Sequence, residues 1–275
     1  MPIETTCRVL EVSASGYYDW LTRPLSKRAV RHAWLSELIV SIHKASHGTY
    51  GVRRIRAELA MDYGLKVHRD TIQLLMRRAG IQGVSGRRKF KRGPLGPVAD
   101  DLVGRIFEAD EPNRLWVTDI TEHPTREGKV YCAVVLDVFS RRVVGWSIDS
   151  NQTASLTTNA LSMAIENRKL EYGSIIHSDR GTQFTSWSFT RRAMDSGLIP
   201  SMGSVGDCYD NTMMESFWSR MQVGLLDRRK WNTRHNLMNA IFEYIEIFYN
   251  RKRRHSALGM LSPVEYETRH QQEAA

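Results

Sequence analysis

The chain has 275 residues, of which 41% are hydrophobic and 25% charged, and its formal net charge is +9. This make-up is ordinary for a globular protein, and the length fits one large domain with a smaller module. The sequence shows neither a basic start followed by an apolar run nor an apolar stretch long enough to span a membrane, so it predicts a cytoplasmic protein. Its three cysteines are far apart and never form CxxC, which argues against a disulfide framework or a zinc knuckle.

The positive charge is concentrated in the first part of the chain. Residues 1–101 hold 18 Lys or Arg against 9 Asp or Glu, whereas residues 102–275 hold 21 of each kind. An even distribution would indicate a surface that is basic for solubility alone. The observed asymmetry instead favours a polyanionic partner, a nucleic acid, bound by the N-terminal part.

Residues 1–81 are predicted to be helical. After a short helical segment with a turn at Ser15 and Gly16, apolar residues recur at helical spacing over Ala29–Ala45. Two short helices follow, separated by a turn around Asp62–Leu65, and this pattern predicts a helix-turn-helix. The second helix carries basic residues that could contact DNA: Arg69, Arg77 and Arg78. The alternative is that the two helices simply pack together and leave these arginines in solvent.

Residues 82–101 are predicted to be a flexible linker, because they are rich in glycine and proline and contain no apolar pattern. A group of cations in this linker could follow a DNA phosphate backbone: Arg87, Arg88, Lys89, Lys91 and Arg92.

The periodicity changes to that of strands after the linker. The predicted order over residues 102–230 is β-β-β-α-β-α-β-α, which indicates an α/β domain. Residues 231–275 are predicted to form an amphipathic helix, with six apolar residues between Leu237 and Phe248 on one face, and a basic tail packed on the core.

Three carboxylates occupy positions where they could converge. Asp119 and Asp179 each follow an apolar strand segment, and Glu215 lies in the first turn of a helix for which Asn211 is a candidate cap. Three clustered anions repel one another unless a cation neutralises them, and Mg²⁺ prefers carboxylate oxygens. The pattern therefore favours a metal site suited to phosphoryl transfer.

Motifs along nearly the whole chain resemble those of the OrfB-type transposases of bacterial insertion sequences, the DDE class that shares its core with retroviral integrases. The similar segments are HGTYGVRRIRAEL, WVTDIT, LDVFSRRVVGW, HSDRGTQF, DCYDNTMMESFW and FYNRKRRHSALGMLSPVEYE. The resemblance implies a ribonuclease-H-like integrase core, a mixed five-stranded sheet with helices, preceded by a small all-α helix-turn-helix domain.

The same resemblance implies that Asp119, Asp179 and Glu215 are the catalytic and metal-binding residues. It further implies Mg²⁺ as the cofactor, with Mn²⁺ as a substitute, and DNA as both substrate and target. Where many relatives carry Lys or Arg two helical turns after the glutamate, this chain has Gln222, a neutral donor toward DNA. The His-Cys zinc module of retroviral integrases has no counterpart here, so no structural zinc is expected.

Other residues near these motifs have two interpretations each. Asp137 is a turn residue or an accessory metal ligand, and Glu122 is a competing acid just beyond the first strand. His177 could orient a phosphate or water, or be a structural histidine, and Asn211 could contact DNA instead of capping its helix. In the tail, three cations are either DNA contacts or a solvated helix end: Arg251, Arg253 and Arg254.

Two other functional classes were considered. A tyrosine or serine recombinase would need a cationic cluster around its nucleophile, for which Tyr266 and RKRRHSAL offer only fragments. A non-catalytic DNA-binding regulator would not need the large domain beyond the linker. We expect a nucleoid-associated transposase that acts as a homo-oligomer on double-stranded DNA, with an upstream-frame protein or fusion as a further partner.

Overall fold

The chain divides into two compact units, Met1–Gly83 and Val84–Ala275. A computed structural model describes residues 2–84, 109–179, 181–202 and 212–274. Within those ranges, no helix combines the length and the apolar character needed to cross a membrane.

The N-terminal unit is helical in all of its regular elements. They are α1 (Ile3–Val9), α2 (Ala14–Thr22), α3 (Lys27–Ala45), α4 (Val52–Met61) and α5 (Arg69–Arg78). Their apolar residues recur every three or four positions, so α3, α4 and α5 bury one stripe each. The buried side chains include Leu35, Ile39, Ile42, Ile55, Leu59, Ile72, Leu75 and Met76. The predicted pair of short helices with an intervening turn is therefore confirmed.

The turn predicted at Ser15 and Gly16 is wrong, since both residues lie in the first turn of α2. The physical reason is the helix cap one turn earlier. Ser13 accepts a hydrogen bond from the Gly16 backbone N–H at 3.0 Å, which satisfies one of the donors that a helix leaves open at its start.

The second unit has the predicted order of elements. Its strands are β1 (Leu115–Thr125), β2 (Gly128–Asp137), β3 (Val143–Asp149), β4 (Ile175–Ser178) and β5 (Ile199–Met202). Its helices are α6 (Ala154–Asn167), α7 (Trp187–Asp195), α8 (Thr212–Gly224), α9 (Arg234–Phe242) and α10 (Pro263–Ala274). A π-helical segment, Glu243–Tyr249, continues α9 and keeps the six predicted apolar positions buried.

The five strands form one sheet in the order β3-β2-β1-β4-β5. The pairs β1–β2 and β2–β3 are antiparallel, whereas β1–β4 and β4–β5 are parallel. The predicted mixed five-stranded sheet is thus confirmed, and β1 lies at its centre.

The two faces of the sheet have different partners. Helix α6 contacts β2 and β3, and α7 contacts β5 and α6, over a core that includes Trp116, Ala133 and Ile176. Side chains alternate between faces along a strand, so Val117 and Asp119 point away from this core. Helices α8 and α9 contact β1 and β2 respectively. The site described next lies where α8 approaches β1.

The C-terminal segment joins the sheet through polar contacts. Asn250 donates to the Val143 carbonyl at 2.9 Å and accepts from its N–H at 3.0 Å, so it pairs with edge strand β3 as a further residue of that sheet would. Glu267 on α10 is buried and receives hydrogen bonds from Ser140, Arg142 and Arg168.

Candidate active site

Asp119 lies in the middle of β1 and is held at both carboxylate oxygens. It pairs with Val134 of the neighbouring strand β2. Its Oδ1 accepts from the backbone N–H of Ile120 at 2.7 Å, and its Oδ2 accepts from the indole N–H of Trp218 at 2.9 Å. These two donors fix the orientation of the carboxylate before any ligand binds.

Asp179 follows the end of β4, the strand that runs parallel to β1. The last register pair of the two strands is Val117 with His177, so Asp119 and Asp179 each lie two residues further along. Gly181 donates its N–H to Asp179 Oδ1 at 3.0 Å, and a Cβ at Gly181 would lie 2.9 Å from that oxygen. Because glycine has no Cβ at this place, the Asp179 carboxylate has room to accept the backbone hydrogen bond.

Glu215 lies in the first turn of α8, as predicted. The buried stripe of this helix is Met214, Phe217, Met221 and Gly224. Glu215 is exposed on one flank of that stripe. Phe217 packs edge-on against Tyr249 of the π-helical segment, with ring centroids 4.8 Å apart. This packing and the Trp218–Asp119 hydrogen bond attach α8 to the sheet and bring Glu215 toward the strand carboxylates.

The three carboxylates interact electrostatically. The pKa of Asp119 is raised to about 6: burial raises it most, the charges of Asp179 and Glu215 add to the rise, and the hydrogen bonds from Ile120 and Trp218 oppose it. Partial desolvation and two like charges are the conditions under which a carboxylate favours a cation as its partner.

The donor set suits a hard divalent cation. Carboxylate oxygens are the usual protein ligands of Mg²⁺. Among residues 2–84, 109–179, 181–202 and 212–274, no three His, Cys, Asp or Glu side chains lie as close together as the ligands of a bound ion. The triad residues are therefore near enough to shift a pKa, but their side chains are not yet at ligand spacing.

Asp137 has the position of a structural turn residue. It is paired with Trp116, three residues from the Asp119 register, and so points to the opposite face of the sheet. It is fully buried and accepts from the backbone N–H groups of Asn113 at 3.2 Å and Phe139 at 3.1 Å. Burial raises its pKa to about 6, against the opposing charge of Arg168. These contacts support the structural interpretation over an accessory metal ligand.

The remaining acid and the accessory residues have other partners. Glu122 lies within β1 and not beyond it, because the strand continues to Thr125; its side chain is exposed and forms an ion pair with Lys129 at 2.7 Å. His177 is buried, with its Nδ1 3.0 Å from Ser201 Oγ on β5, which fits a structural histidine beside the site. Gln222 donates its side-chain amide to Asp227. Asn211 lies outside the described residues, so neither of its interpretations is tested.

The predicted DNA-binding cations fall into three groups. Arg69, Arg77 and Arg78 are exposed on α5, and Arg251 is exposed in the tail. The linker cations lie outside the described residues: Arg87, Arg88, Lys89, Lys91 and Arg92. Arg253 and Arg254 are buried at 5% and 3% exposure.

The burial of these last two cations corrects the expectation that they reach DNA. Arg254 forms an ion pair with Glu265 at 2.9 Å, and Arg253 contacts the ring of His255 and lies over Tyr249. Both guanidinium groups thus have protein partners, and Arg251 remains the accessible cation of the three.

Two features of the site were missed from the sequence. Trp218 was not singled out, although its position three residues after Glu215 places both on the same flank of a helix. The contact of Gly181 with Asp179 was also missed, although a glycine two residues after an aspartate is a common turn signal. Tyr266, the rival nucleophile, packs against Phe139 with ring centroids 5.1 Å apart.

Comparison with known proteins identifies the family. A family model for an integrase core domain matches residues 109–208, a second integrase core model matches residues 196–263, and a model for an HTH-like domain matches residues 31–90. The chain is 36% identical to the transposase InsF for insertion sequence IS3A of Escherichia coli K12 over 274 residues, covering 97% of this chain and 94% of that protein. The chain belongs to the insertion-sequence transposases with an integrase core.

A second relative extends over the full length. This chain is 38% identical over 273 residues to the insertion element IS600 uncharacterized 31 kDa protein of Shigella sonnei, covering 98% of this chain and all of that protein. The membership confirms the predicted fold, a ribonuclease-H-like core with a helix-turn-helix domain before it. It also makes the chain a DDE-type polynucleotidyl transferase that functions in transposition and DNA integration.

Solved structures of retroviral integrases are more distant from this transposase. A chain of the simian T-cell lymphotropic virus intasome in complex with PP2A regulatory subunit B56 gamma is 14% identical, with a TM-score of 0.47 over 83% of this chain and 74% of that chain. The HTLV-2 integrase catalytic core in complex with magnesium is 19% identical, with a TM-score of 0.41 over 57% of this chain and 96% of that chain.

Proposed function

We propose that Asp119, Asp179 and Glu215 are the residues with which this transposase cleaves the ends of its element and joins the freed 3′-hydroxyl to target DNA. The observation that carries the proposal is their placement. Asp119 on β1 and Asp179 just past the end of β4 each lie two residues beyond the last register pair of these parallel strands, and α8, which carries Glu215, contacts β1. The two charges that raise the pKa of Asp119 belong to the other members of the triad.

The cofactor we propose is Mg²⁺, with Mn²⁺ as a substitute, held by the same three carboxylates. The HTLV-2 integrase core was solved with magnesium, and the carboxylates of this chain offer oxygen donors of the kind that this ion prefers. When bound, a divalent cation lowers the pKa of the attacking water or hydroxyl and offsets the charge on the leaving oxygen.

The residues of the chain have distinct tasks in this proposal. Asp119 presents a carboxylate held by two N–H donors, so little conformational entropy remains to be lost when a ligand binds. Asp179 is tied to its own loop through Gly181. Glu215 is exposed on its helix and can approach the other two as they are neutralised. None of the three is required as a covalent nucleophile.

DNA binding is assigned to exposed cations outside the triad. We propose that residues 1–81 bind duplex DNA through Arg69, Arg77 and Arg78, that the basic residues of 82–101 follow the phosphate backbone, and that residues 102–230 carry the chemistry. In residues 231–275, Arg251 is the candidate phosphate contact. A homo-oligomer on DNA, an upstream-frame partner and action at the nucleoid stay predictions.

The test is an end-joining reaction with purified full-length protein. Labelled duplex DNA with the ends of the parent element is incubated with Mg²⁺ or Mn²⁺, and nicked and joined products are separated on denaturing gels. We expect both products with the native chain and neither with Glu215→Gln. Near-normal joining of pre-cleaved ends by Glu215→Gln would contradict the assignment of the triad.

A further inference from the structure

One hydrogen bond connects the two elements that carry the proposed triad. Trp218 on α8 donates its indole N–H to Asp119 on β1 at 2.9 Å. Trp218 follows Glu215 by three residues, which places both on one flank of the helix. A single side chain therefore contacts one proposed metal ligand and shares a rigid helix with another.

We propose that Trp218 is a positioning residue for the metal site: its indole N–H orients the carboxylate of Asp119 and sets the spacing between Asp119 and Glu215. This inference rests on the proposed function of the triad. Trp218 would act through these two carboxylates and not through contact with the DNA phosphate.

The surroundings of the indole make it a rigid donor. Its ring packs edge-on against Phe217, with centroids 4.8 Å apart, and Phe217 in turn packs against Tyr249. Phe217 and Tyr249 are both buried. A donor fixed in this way holds its acceptor at a defined place, whereas a flexible side chain would lose rotamer entropy to do so.

The chemistry of the donor also suits a metal ligand. An ionised carboxylate has about four lone-pair sites, and only two are used by Ile120 and Trp218, so others remain for a cation. An indole N–H is neutral and does not cancel the negative charge, which a lysine or arginine in the same place would do. Trp218 can thus orient Asp119 without competing with the ion.

The same hydrogen bond could form for structural reasons alone, because a half-buried indole N–H needs an acceptor. The chain provides a matched control for that alternative. Trp146 donates its indole N–H to Glu246 at 2.8 Å in the same unit, and Trp146 is half-buried like Trp218. Replacing either tryptophan with phenylalanine removes one indole–carboxylate hydrogen bond, but only Trp218 contacts the proposed site.

The experiment compares Trp218→Phe and Trp146→Phe in the full-length protein by titration with Mn²⁺, with free ion measured by electron paramagnetic resonance. Orienting contacts to a metal ligand are typically worth 10- to 100-fold in affinity. We expect about a 10-fold weaker Mn²⁺ affinity for Trp218→Phe and native affinity for Trp146→Phe. The Mn²⁺ concentration for half-maximal joining should rise by a similar factor. Equal affinities for the two variants would overturn the proposal.

Two further variants keep the outcome interpretable. Site-specific replacement of Trp218 by β-(3-benzothienyl)alanine keeps the shape of the indole and removes its N–H, so it tests the hydrogen bond even if Trp218→Phe does not fold. Native Mn²⁺ affinity in that protein would also overturn the proposal. Asp119→Asn tests the triad itself. If Asp119→Asn binds Mn²⁺ normally, the proposed function fails, whereas loss of binding there with native affinity in both Trp218 variants refutes the positioning role alone.

Discussion

Asp119 lies on β1 and Asp179 follows the end of the adjacent parallel strand β4, each two residues beyond the register pair Val117 and His177. Neighbouring strands are about 4.8 Å apart, so side chains at equivalent positions on one face are neighbours. This relationship depends on register, since a shift of one residue would send one carboxylate to the opposite face. The sheet thus provides two of the three charges before α8 adds the third.

The first prediction concerns the triad. Asp119→Asn, Asp179→Asn and Glu215→Gln each keep the size of the side chain and remove its charge. If each carboxylate is needed to place a metal ion, every single variant should lose cleavage and joining by at least about a thousandfold, and double variants should be little worse. Gel assays for products, with DNA binding measured separately by anisotropy, check this.

The matched control is Glu122→Gln, because Glu122 lies on the same strand as Asp119 but is exposed and paired with Lys129. We expect native levels of product from this variant, since exposed pairs contribute little. If Glu122→Gln were as inactive as Asp119→Asn, the loss of activity would not distinguish the triad from other acids of β1.

The second prediction concerns stability against pH without metal. The folded-state pKa of Asp119, about 6, is above its ordinary value of 3.8. Its contribution to stability is therefore fully present below pH 3.8 and is lost as the pH rises through about 6. Asp119→Asn cannot ionise, so its free energy of unfolding should exceed that of the native chain by up to about 3 kcal/mol at pH 7.5.

Urea unfolding in the presence of a chelator, from pH 4 to pH 7.5, measures this difference. The gap between the two proteins should be smallest at pH 4 and widen toward neutral pH. A gap that is constant over this range would mean that the pKa of Asp119 is the same in the folded and unfolded states. The raised pKa expected of a carboxylate among like charges would then be absent.

Local sequence patterns predicted the elements that carry the triad. Apolar segments before Asp119 and Asp179 indicated strands, and the candidate cap Asn211 indicated the start of the helix that carries Glu215. These signals are local because they depend on neighbours within a few residues. They therefore predicted where each carboxylate lies on its own element.

The contacts between distant elements could not be predicted in this way. The hydrogen bond from Trp218 to Asp119 joins residues 99 positions apart and depends on how α8 packs on the sheet. The run of cations after Asn250 has the composition of a solvated helix end, but tertiary packing buries Arg253 and Arg254. Arg254 is paired with Glu265, which lies on the following helix, α10.

The third prediction concerns Glu267, which attaches α10 to the sheet domain. Burial alone would raise its pKa, but hydrogen bonds from Arg168, Ser140 and Arg142 lower the pKa below the usual value. Glu267→Gln keeps the size but leaves two arginines short of a counter-charge. Breaking a buried pair in this way costs about 3 to 5 kcal/mol of unfolding free energy, measurable by urea titration.

The control for this prediction lies on the same helix. Glu273 forms an exposed ion pair with Arg269 at 2.9 Å, with side chains that are 64% and 67% accessible. Glu273→Gln should change the unfolding free energy by about 0.5 kcal/mol or less. Equal effects of the two substitutions would show that the Glu267 network does not hold α10 on the domain.

The fourth prediction separates the exposed from the buried arginines of the tail. Arg251 is exposed and Arg254 is buried against Glu265. If Arg251 contacts a DNA phosphate, Arg251→Ala should reduce the slope of log affinity against log salt by about 0.9 without loss of stability. Arg254→Ala should instead lower the unfolding free energy, because it removes the packing of a buried side chain together with its ion pair to Glu265. Anisotropy titrations at several salt concentrations, with urea unfolding of each variant, measure both quantities. An unchanged salt slope for a folded Arg251→Ala protein would mean that Arg251 is solvated and makes no contact with a DNA phosphate.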